Sequence, residues 1–322
     1  MSAGTSGESA KVGDFIARGA ANAIPRFYGD ALLEAARRDP RIMCLCADLR
    51  GSTETDIFAR ELPDRFIDAG IAEANMIGMA AGMARCGDIP FVHSFCVFVT
   101  RRCYDQVAVQ VAYPALPVKI VGFLPGLTTM LGVSHQAIDD IALMRALPNM
   151  TIIEPSGPEQ LGAAVEAALA VDGPVYLRMK RPDTAIASLL PRGLTPGKGE
   201  ILRLGRDGVI IACGVMVAAA VEASSRLAAK GIDAGVVNMP TIKPLDESLV
   251  VESFCGRPRS SPPRSARRAR GRSRHGDGLR ERRHGRGAVT LPQPGDRRQP
   301  RGRSRCGAGR RTRRCHRPSP IA

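Results

Sequence analysis

Tryptophan is absent from this 322-residue chain, and aromatic residues make up only 4% of it. Any core must therefore be built from aliphatic side chains. Val, Ile, Leu, Ala and Met are plentiful up to about residue 250, enough for a core of useful size. No apolar run approaches the ~20 residues that a membrane helix needs. The amino-terminal stretch MSAGTSGESAKVGD lacks the apolar centre of a signal peptide. The nine cysteines include no CxxC spacing. Cys44 and Cys46 would alternate across a strand, and Cys86, Cys96 and Cys103 lie in apolar blocks. They read as buried thiols of a cytoplasmic protein, with neither a disulfide frame nor a zinc site.

Lysine is missing from the last 72 residues, where arginine is abundant. Residues 251–322 hold 22 Arg against four acids, a net of +18 within a chain total of +15. The rest of the chain is thus mildly acidic at −3. This tail of Arg, Gly, Pro, Ser and Ala cannot bury enough apolar surface to offset its ordering entropy, so disorder is expected over 254–322. An arginine-rich tail also admits a nucleic-acid reading. No aromatic residue lies beyond Phe254, so base stacking is out of reach and such binding would be non-specific.

Residues 1–20 are polar and rich in Gly and Ser, and read as a flexible arm. From there helical and strand patterns alternate. The periodicity predicts helices over 27–38, 73–85, 97–111, 136–147 and 158–171. It predicts strands over 42–47, 65–68, 89–95, 118–123, 150–154 and 174–179. Continuous apolar strands between helices indicate an α/β fold whose parallel sheet is flanked by helices on both faces. Its site belongs at the carboxyl ends of the strands. Residues 181–198, with three Pro and two Gly, read as a linker. A second βαβ unit follows, with a strand at 208–213, a helix at 216–230, a strand at 233–238, and MPTIKPLD (239–246) as the outgoing loop. Apolar periodicity stops after about Ser253, so this second α/β domain is incomplete.

One segment stands out chemically. GIAEANMIGMAAGMA (70–84) sets a single carboxylate, Glu73, at the start of an apolar, small-residue helix. A carboxyl group there loses water, so its pKa is expected to rise. A protonated carboxylic acid can donate a hydrogen bond to a ring nitrogen. The plainer alternative is a helix-terminal Glu that faces water and favours the dipole.

Four blocks in order resemble the pyrimidine-binding domain of the transketolase family: DLRGSTETDIFARELPDRFIDAGIAEANMIGMAAGMA (48–84), PFVHSFCVFVTRRCYDQV (90–107), LPVKIVGF (116–123) and SHQAIDDIALMRALPNMTIIEPSGPEQ (134–160). The likeness is greatest to the separate C-terminal (beta) subunits. 1-deoxyxylulose-5-phosphate synthases and ketoacid dehydrogenase beta subunits are more distant. The resemblance implies a pyrimidine-binding domain over 21–185 and part of a transketolase C-terminal domain over 199–253. It implies a thiamine diphosphate enzyme that passes a two-carbon ketol unit from a ketose to an aldose.

It further implies roles for single residues. Glu73 would hydrogen-bond the pyrimidine N1′, and Phe95 and Phe98 would pack on that ring. Asp48 would lie near the cofactor and the dimer interface. His135 would contact the sugar and take part in catalysis, with His93 a weaker substrate candidate. Arg26 would contact a substrate phosphate. Arg101 would lie near the cofactor, in a register that Arg102 shares within one residue.

Two departures from the family pattern matter. Met130 and Leu131 stand where many members have acidic residues that read a sugar hydroxyl, which points to a different or less hydroxylated substrate. No GDG followed by a downstream Asn precedes Asp48. The Mg2+ and diphosphate would therefore be held by a partner N-terminal subunit, with a homodimer of beta subunits inside an α2β2 assembly and no metal ligands on this chain. For the tail, the resemblance suggests a frameshift. One permitted back-translation of residues 274–286, read one base later, resembles the strand and turn that the family places after KPLD. The alternatives are an inactive frameshifted subunit and a nucleic-acid-binding protein acting through the tail.

Overall fold

The computed structural model describes residues 27–127, 129, 131–180 and 193–255. The arm, Arg26, Met130, most of the linker and the basic tail, with the frameshift and disorder expected there, lie outside the described residues. The described residues all fall in one compact unit.

The chain enters through α1 (Phe27–Arg38). Its buried face is Tyr28, Leu32, Leu33, Ala35 and Ala36, with Asp30 in the first turn and Arg37 and Arg38 in the last, as the helix dipole favours. Then come β1 (Ile42–Cys46), α2 (Asp56–Glu61), β2 (Phe66–Asp68), α3 (Glu73–Arg85) and β3 (Ile89–Phe95). A helical stretch follows in pieces: α4 (Cys96–Thr100), a 3-10 turn (Arg101–Cys103), α5 (Tyr104–Gln106) and a π-helical run (Val107–Ala112). Beyond it lie β4 (Lys119–Phe123), α6 (Asp140–Ala146), β5 (Thr151–Ile153), α7 (Pro158–Leu169) and β6 (Val175–Met179). The second part holds β7 (Glu200–Arg203), β8 (Gly208–Ala212), α8 (Met216–Ala228), β9 (Ala234–Asn238), β10 (Thr241–Lys243) and α9 (Glu247–Cys255).

The large sheet has the order β10-β5-β6-β4-β3-β1-β2. Every pair in it is parallel except β10 with β5. β4 (KIVGF) is buried throughout, as a central strand covered by helices must be. Its first residue, Lys119, lies almost wholly in the core, yet its ammonium donates to the carbonyls of Val171 and Gly173, each at 2.8 Å, just past α7. Burial draws its pKa down to about 8. The small sheet has the order β7-β9-β8. No described helix is long and apolar enough to cross a membrane.

The α/β architecture expected from the alternation is present, and three local expectations are corrected. The helix expected over 97–111 is broken. Thr100 returns its hydroxyl to the Cys96 carbonyl at 2.6 Å, and Cys103 leaves helical geometry at φ −128, ψ 28; such back-bonding competes with the regular ladder. The helix expected from 136 begins only at Asp140. The MPTIKPLD loop contains a strand. Thr241 of β10 pairs with Ile153 and so returns the chain to the large sheet.

A buried ionic cluster lies where the two parts meet. Arg178 of β6 donates to Asp140 at 2.7 Å and to Glu154 at 2.6 Å. Tyr176 donates to the same Asp140 at 2.7 Å. Cys213, just past β8, donates to Glu154 at 3.5 Å. Burial raises the Glu154 pKa and Arg178 opposes that rise. Gly214 is fixed here for two reasons. Its φ of +54 is left-handed, and a Cβ would collide with the Glu154 carboxylate. Gly214→Ala is therefore expected to lower the urea midpoint, by about 1–3 kcal/mol of stability.

Candidate active site

The parallel strands bring their carboxyl ends to one edge, and the sequence places chemically distinctive residues there. β2 ends at Asp68, the chain turns through Gly70 (φ +68), and α3 begins on Glu73. β3 ends on Ser94 and Phe95, and α4 then carries Phe98. The broken helix delivers Arg102 to the same spot. The Glu73 side chain is 1% exposed, and Ser94 donates to its Oε1 at 3.2 Å. Arg102 Nη1 contacts both carboxylate oxygens, at 2.9 and 3.1 Å. The Arg102 guanidinium also lies 3.9 Å from the centre of the Phe98 ring, a cation–π arrangement.

Phe95 and Phe98 sit with ring centroids 5.9 Å apart, and His135 lies 5.2 Å from Phe98 and 5.8 Å from Phe95. His135 rides on the loop between β4 and α6. That loop is pinned by the Gly126 N–H donating to Ala137 O at 2.9 Å, and by Ser134 Oγ 2.9 Å from His135 Nδ1. Glu73, Phe95, Phe98 and His135 thus form one group, although 62 residues separate the first from the last.

The other sequence candidates fall elsewhere. Arg101 turns away from Glu73 to the loop, reaching the Gln136 carbonyl at 3.5 Å and Asp139 at 3.4 Å. The register open at RR therefore falls on Arg102 for contact with Glu73, because the 3-10 turn points neighbouring side chains apart. Asp48 is exposed at the end of β1 with φ +55, and its N–H donates to Asp68 at 3.0 Å. It makes no bond to the Glu73 group among the described residues.

His93 is corrected. It is wholly buried, with Nε2 2.7 Å from the Tyr28 hydroxyl and Nδ1 2.8 Å from the Leu45 carbonyl. Both ring nitrogens are occupied, so it is a core residue and does not face a substrate. Burial pulls its pKa from 6.5 down to about 4. Between those values the unfolded chain binds the proton and the folded chain does not, so acid favours unfolding. Stability should fall by about 3 kcal/mol as pH drops from 6.5 to 4. Urea titrations of His93→Gln across that window should lack this part of the slope.

Sequence reasoning missed Ser94 and gave the neighbouring Arg101 the place that Arg102 holds. It also treated Glu73 as solitary, whereas a cation and a hydroxyl sit on it. Arg102 entered only through the register left open at RR, and its spacing after Phe98, four residues along a helix, is what favoured it. The thiols expected to be buried are so at Cys44, Cys46, Cys96 and Cys103, while Cys86 is exposed. Burial pushes Cys103 up to about 12, far from a reactive thiolate.

Comparison with known proteins identifies the family. Residues 22–185 match the family described as transketolase, pyrimidine binding domain, and residues 197–260 match transketolase, C-terminal domain. The chain is 48% identical over 228 residues to the 6-deoxy-6-sulfo-D-fructose transketolase subunit SqwH of a Clostridium species, covering 70% of each. It is 44% identical over 229 residues to a protein of Methanocaldococcus jannaschii named as a transketolase C-terminal section, covering 70% of this chain and 72% of the other. With the 1-deoxy-D-xylulose-5-phosphate synthase of Thermosynechococcus vestitus identity is 35%, and the match spans only 36% of that protein. Among solved structures, a split-gene transketolase described as an inactive β4 tetramer superimposes with a TM-score of 0.65 at 43% identity, covering 71% of this chain and 74% of the other. The transketolase of Pichia stipitis shares the fold, with a TM-score of 0.57 at 23% identity. With its pyrimidine-domain match running through Glu73, Phe98 and His135, this chain belongs to the transketolase family of thiamine diphosphate-dependent enzymes, alongside the subunits that carry the pyrimidine-binding and C-terminal domains.

Proposed function

We propose that this chain supplies the pyrimidine half of a thiamine diphosphate site. A partner subunit completes it with the diphosphate and Mg2+ half, and the assembly transfers a two-carbon ketol unit from a ketose to an aldose. One observation carries the reading. A buried carboxylate and an aromatic face together hold a flat N–H donor, the Arg102 guanidinium. An aminopyrimidine is also flat and nitrogen-edged, and would use the same two partners, so the residues fit the group. When bound, the cofactor supplies the carbanion chemistry of carbon–carbon cleavage.

The chain's own residues orient and enclose. Glu73 holds a hydrogen bond to the ring nitrogen N1′, and Phe98 and Phe95 wall the ring. His135, packed on that wall, reaches toward the sugar. Asp48, at the end of β1, and Arg101, whose side chain reaches Gln136 and Asp139, flank the site, and Arg26 is assigned to a substrate phosphate. Leu131, half-buried where relatives carry an acid, leaves one sugar hydroxyl without a partner and favours a less hydroxylated donor. The sugar for which the Clostridium relative is named lacks its 6-hydroxyl, which makes it a natural member of a substrate panel. An α2β2 assembly in the cytoplasm completes the proposal.

The test is co-purification with a diphosphate-binding subunit, followed by calorimetric titration with thiamine diphosphate and Mg2+. Binding by the pair but not by either chain alone is expected. A pair that assembles and binds no cofactor would overturn the reading. In the active pair, His135→Asn should lower kcat/KM by about 10²-fold while leaving the cofactor Kd unchanged. A weakened cofactor Kd would reassign His135 to the cofactor.

A further inference from the structure

We propose that Arg102 is a movable stand-in for the cofactor's aminopyrimidine, holding Glu73 and covering Phe98 in the unliganded subunit and leaving both when the ring enters. This rests on the cofactor reading above. The geometry supplies three arguments. The guanidinium already occupies the two partners that reading assigns to the ring: one nitrogen donates to both oxygens of the Glu73 carboxylate, and its carbon lies 3.9 Å from the Phe98 ring centre. Two flat groups cannot share that one face. The members of the pair also differ in freedom, because the Glu73 side chain is 1% exposed and that of Arg102 is 45% exposed. Arg102 can swing into water without moving the fold, and Glu73 cannot. Finally, Arg102 is carried on a short 3-10 turn between residues of irregular geometry, Thr100 (φ −109, ψ −78) and Cys103 (φ −128, ψ 28). It is not locked into a continuous helix.

The stand-in has a physical purpose. With the site empty, Ser94 would be the only described side chain donating to a carboxylate that water scarcely reaches. A buried carboxylate so poorly partnered is unfavourable. Arg102 relieves this in the empty subunit, and a proton taken up between Glu73 and the ring nitrogen relieves it in the loaded one. Arg102 and the cofactor therefore compete. The cofactor binds only the fraction of molecules in which Arg102 has swung out, so its apparent Kd is weakened by the reciprocal of that fraction.

The opposite role, permanent support of Glu73 beside the cofactor, predicts the opposite sign on removal, so affinity separates the two. The experiment uses the assembled pair of subunits and titrates thiamine diphosphate with Mg2+ calorimetrically in wild type, Arg102→Ala and Arg102→Lys. Stopped-flow association and the melting temperature of the cofactor-free protein are recorded alongside. Arg102→Ala is expected to tighten the cofactor Kd by roughly tenfold and to speed association, while the cofactor-free protein melts at a lower temperature. A merely damaged fold cannot bind more tightly, so this combination is diagnostic. Arg102→Lys keeps the charge but loses the flat face, and should tighten Kd by a smaller factor. Unchanged or weaker binding in Arg102→Ala overturns the proposal and makes Arg102 a permanent part of the site. Should Arg102→Ala fail to fold, the Lys variant decides by the same sign. A wild-type pair that binds no cofactor removes the parent reading itself, an outcome distinct from a wrong sign in the variants.

Discussion

Glu73→Ala is expected to lower turnover of the assembled enzyme by at least ~10²-fold and as much as ~10⁴-fold, the range for a group that holds a proton in the transition state. The subunit should still fold and assemble. Glu73 is the buried member of its ion pair, and its removal leaves Arg102, which is half in water and can rehydrate. The pair therefore contributes modestly to stability, and a truncation that deletes the buried charge avoids the penalty of stranding it. Glu73→Gln sharpens the test, because an amide keeps the shape and hydrogen bonds but cannot exchange a proton at N1′. Turnover is measured at saturating cofactor, with assembly followed by size-exclusion chromatography. Full turnover in Glu73→Ala would remove Glu73 from the mechanism, whatever else the pair does.

Arg178→Ala should produce the largest loss of stability, about 3–5 kcal/mol, because it strands two buried carboxylates at once. Asp140 and Glu154 are 1% and 5% exposed at their side chains, and Arg178 bridges them. The effect carries a pH signature. Burial raises the Glu154 pKa above its ordinary value, and the Arg178 charge and hydrogen bond hold it back. Without Arg178 that pKa climbs further. A carboxyl whose folded pKa lies above its unfolded one favours folding in acid and loses that contribution as pH rises through the folded value. The deficit of Arg178→Ala relative to wild type should therefore be largest near neutral pH and narrow toward pH 5. Urea unfolding at a series of pH values reads this directly, and a deficit constant across pH would show that packing alone was lost. Function should suffer as well. The cluster fixes the start of α6, which anchors the loop bearing His135, and Tyr176 of the same cluster packs beside Cys96 at the head of α4.

Where the chain is regular, its sequence was informative. α1, α3 and β3 fall within a residue of where the apolar period sets them, because those elements bury one stripe or both faces of a strand and nothing else competes. Glu73 was legible because a lone charge in a small-residue helix is chemically out of place. Phe95, Phe98 and His135 were legible through the SFCVF and SHQ blocks. The broken helix after β3 was not. Its apolar residues keep a helical period, while the break arises from one hydroxyl bond of Thr100 and the fit against α3. β10 was hidden for a similar reason. Three residues between prolines carry no period, and only pairing with β5 makes them a strand.

His93 and Arg102 show the same division. From the sequence, His93 was a weaker substrate candidate and Arg102 shared a register with Arg101 that was open by one residue. The amino-acid order by itself determined the α/β class, the succession of apolar strands and helices along the chain, and the lone carboxylate at the head of a small-residue helix, since each follows from residue type and spacing along one element. The tertiary structure alone decided that His93 is sealed by Tyr28 and Leu45, that Arg102 and not Arg101 meets Glu73, and that Arg178 joins two acids from different elements. Those outcomes depend on which side chains from distant parts of the chain share a volume that water cannot enter, and no local pattern encodes that.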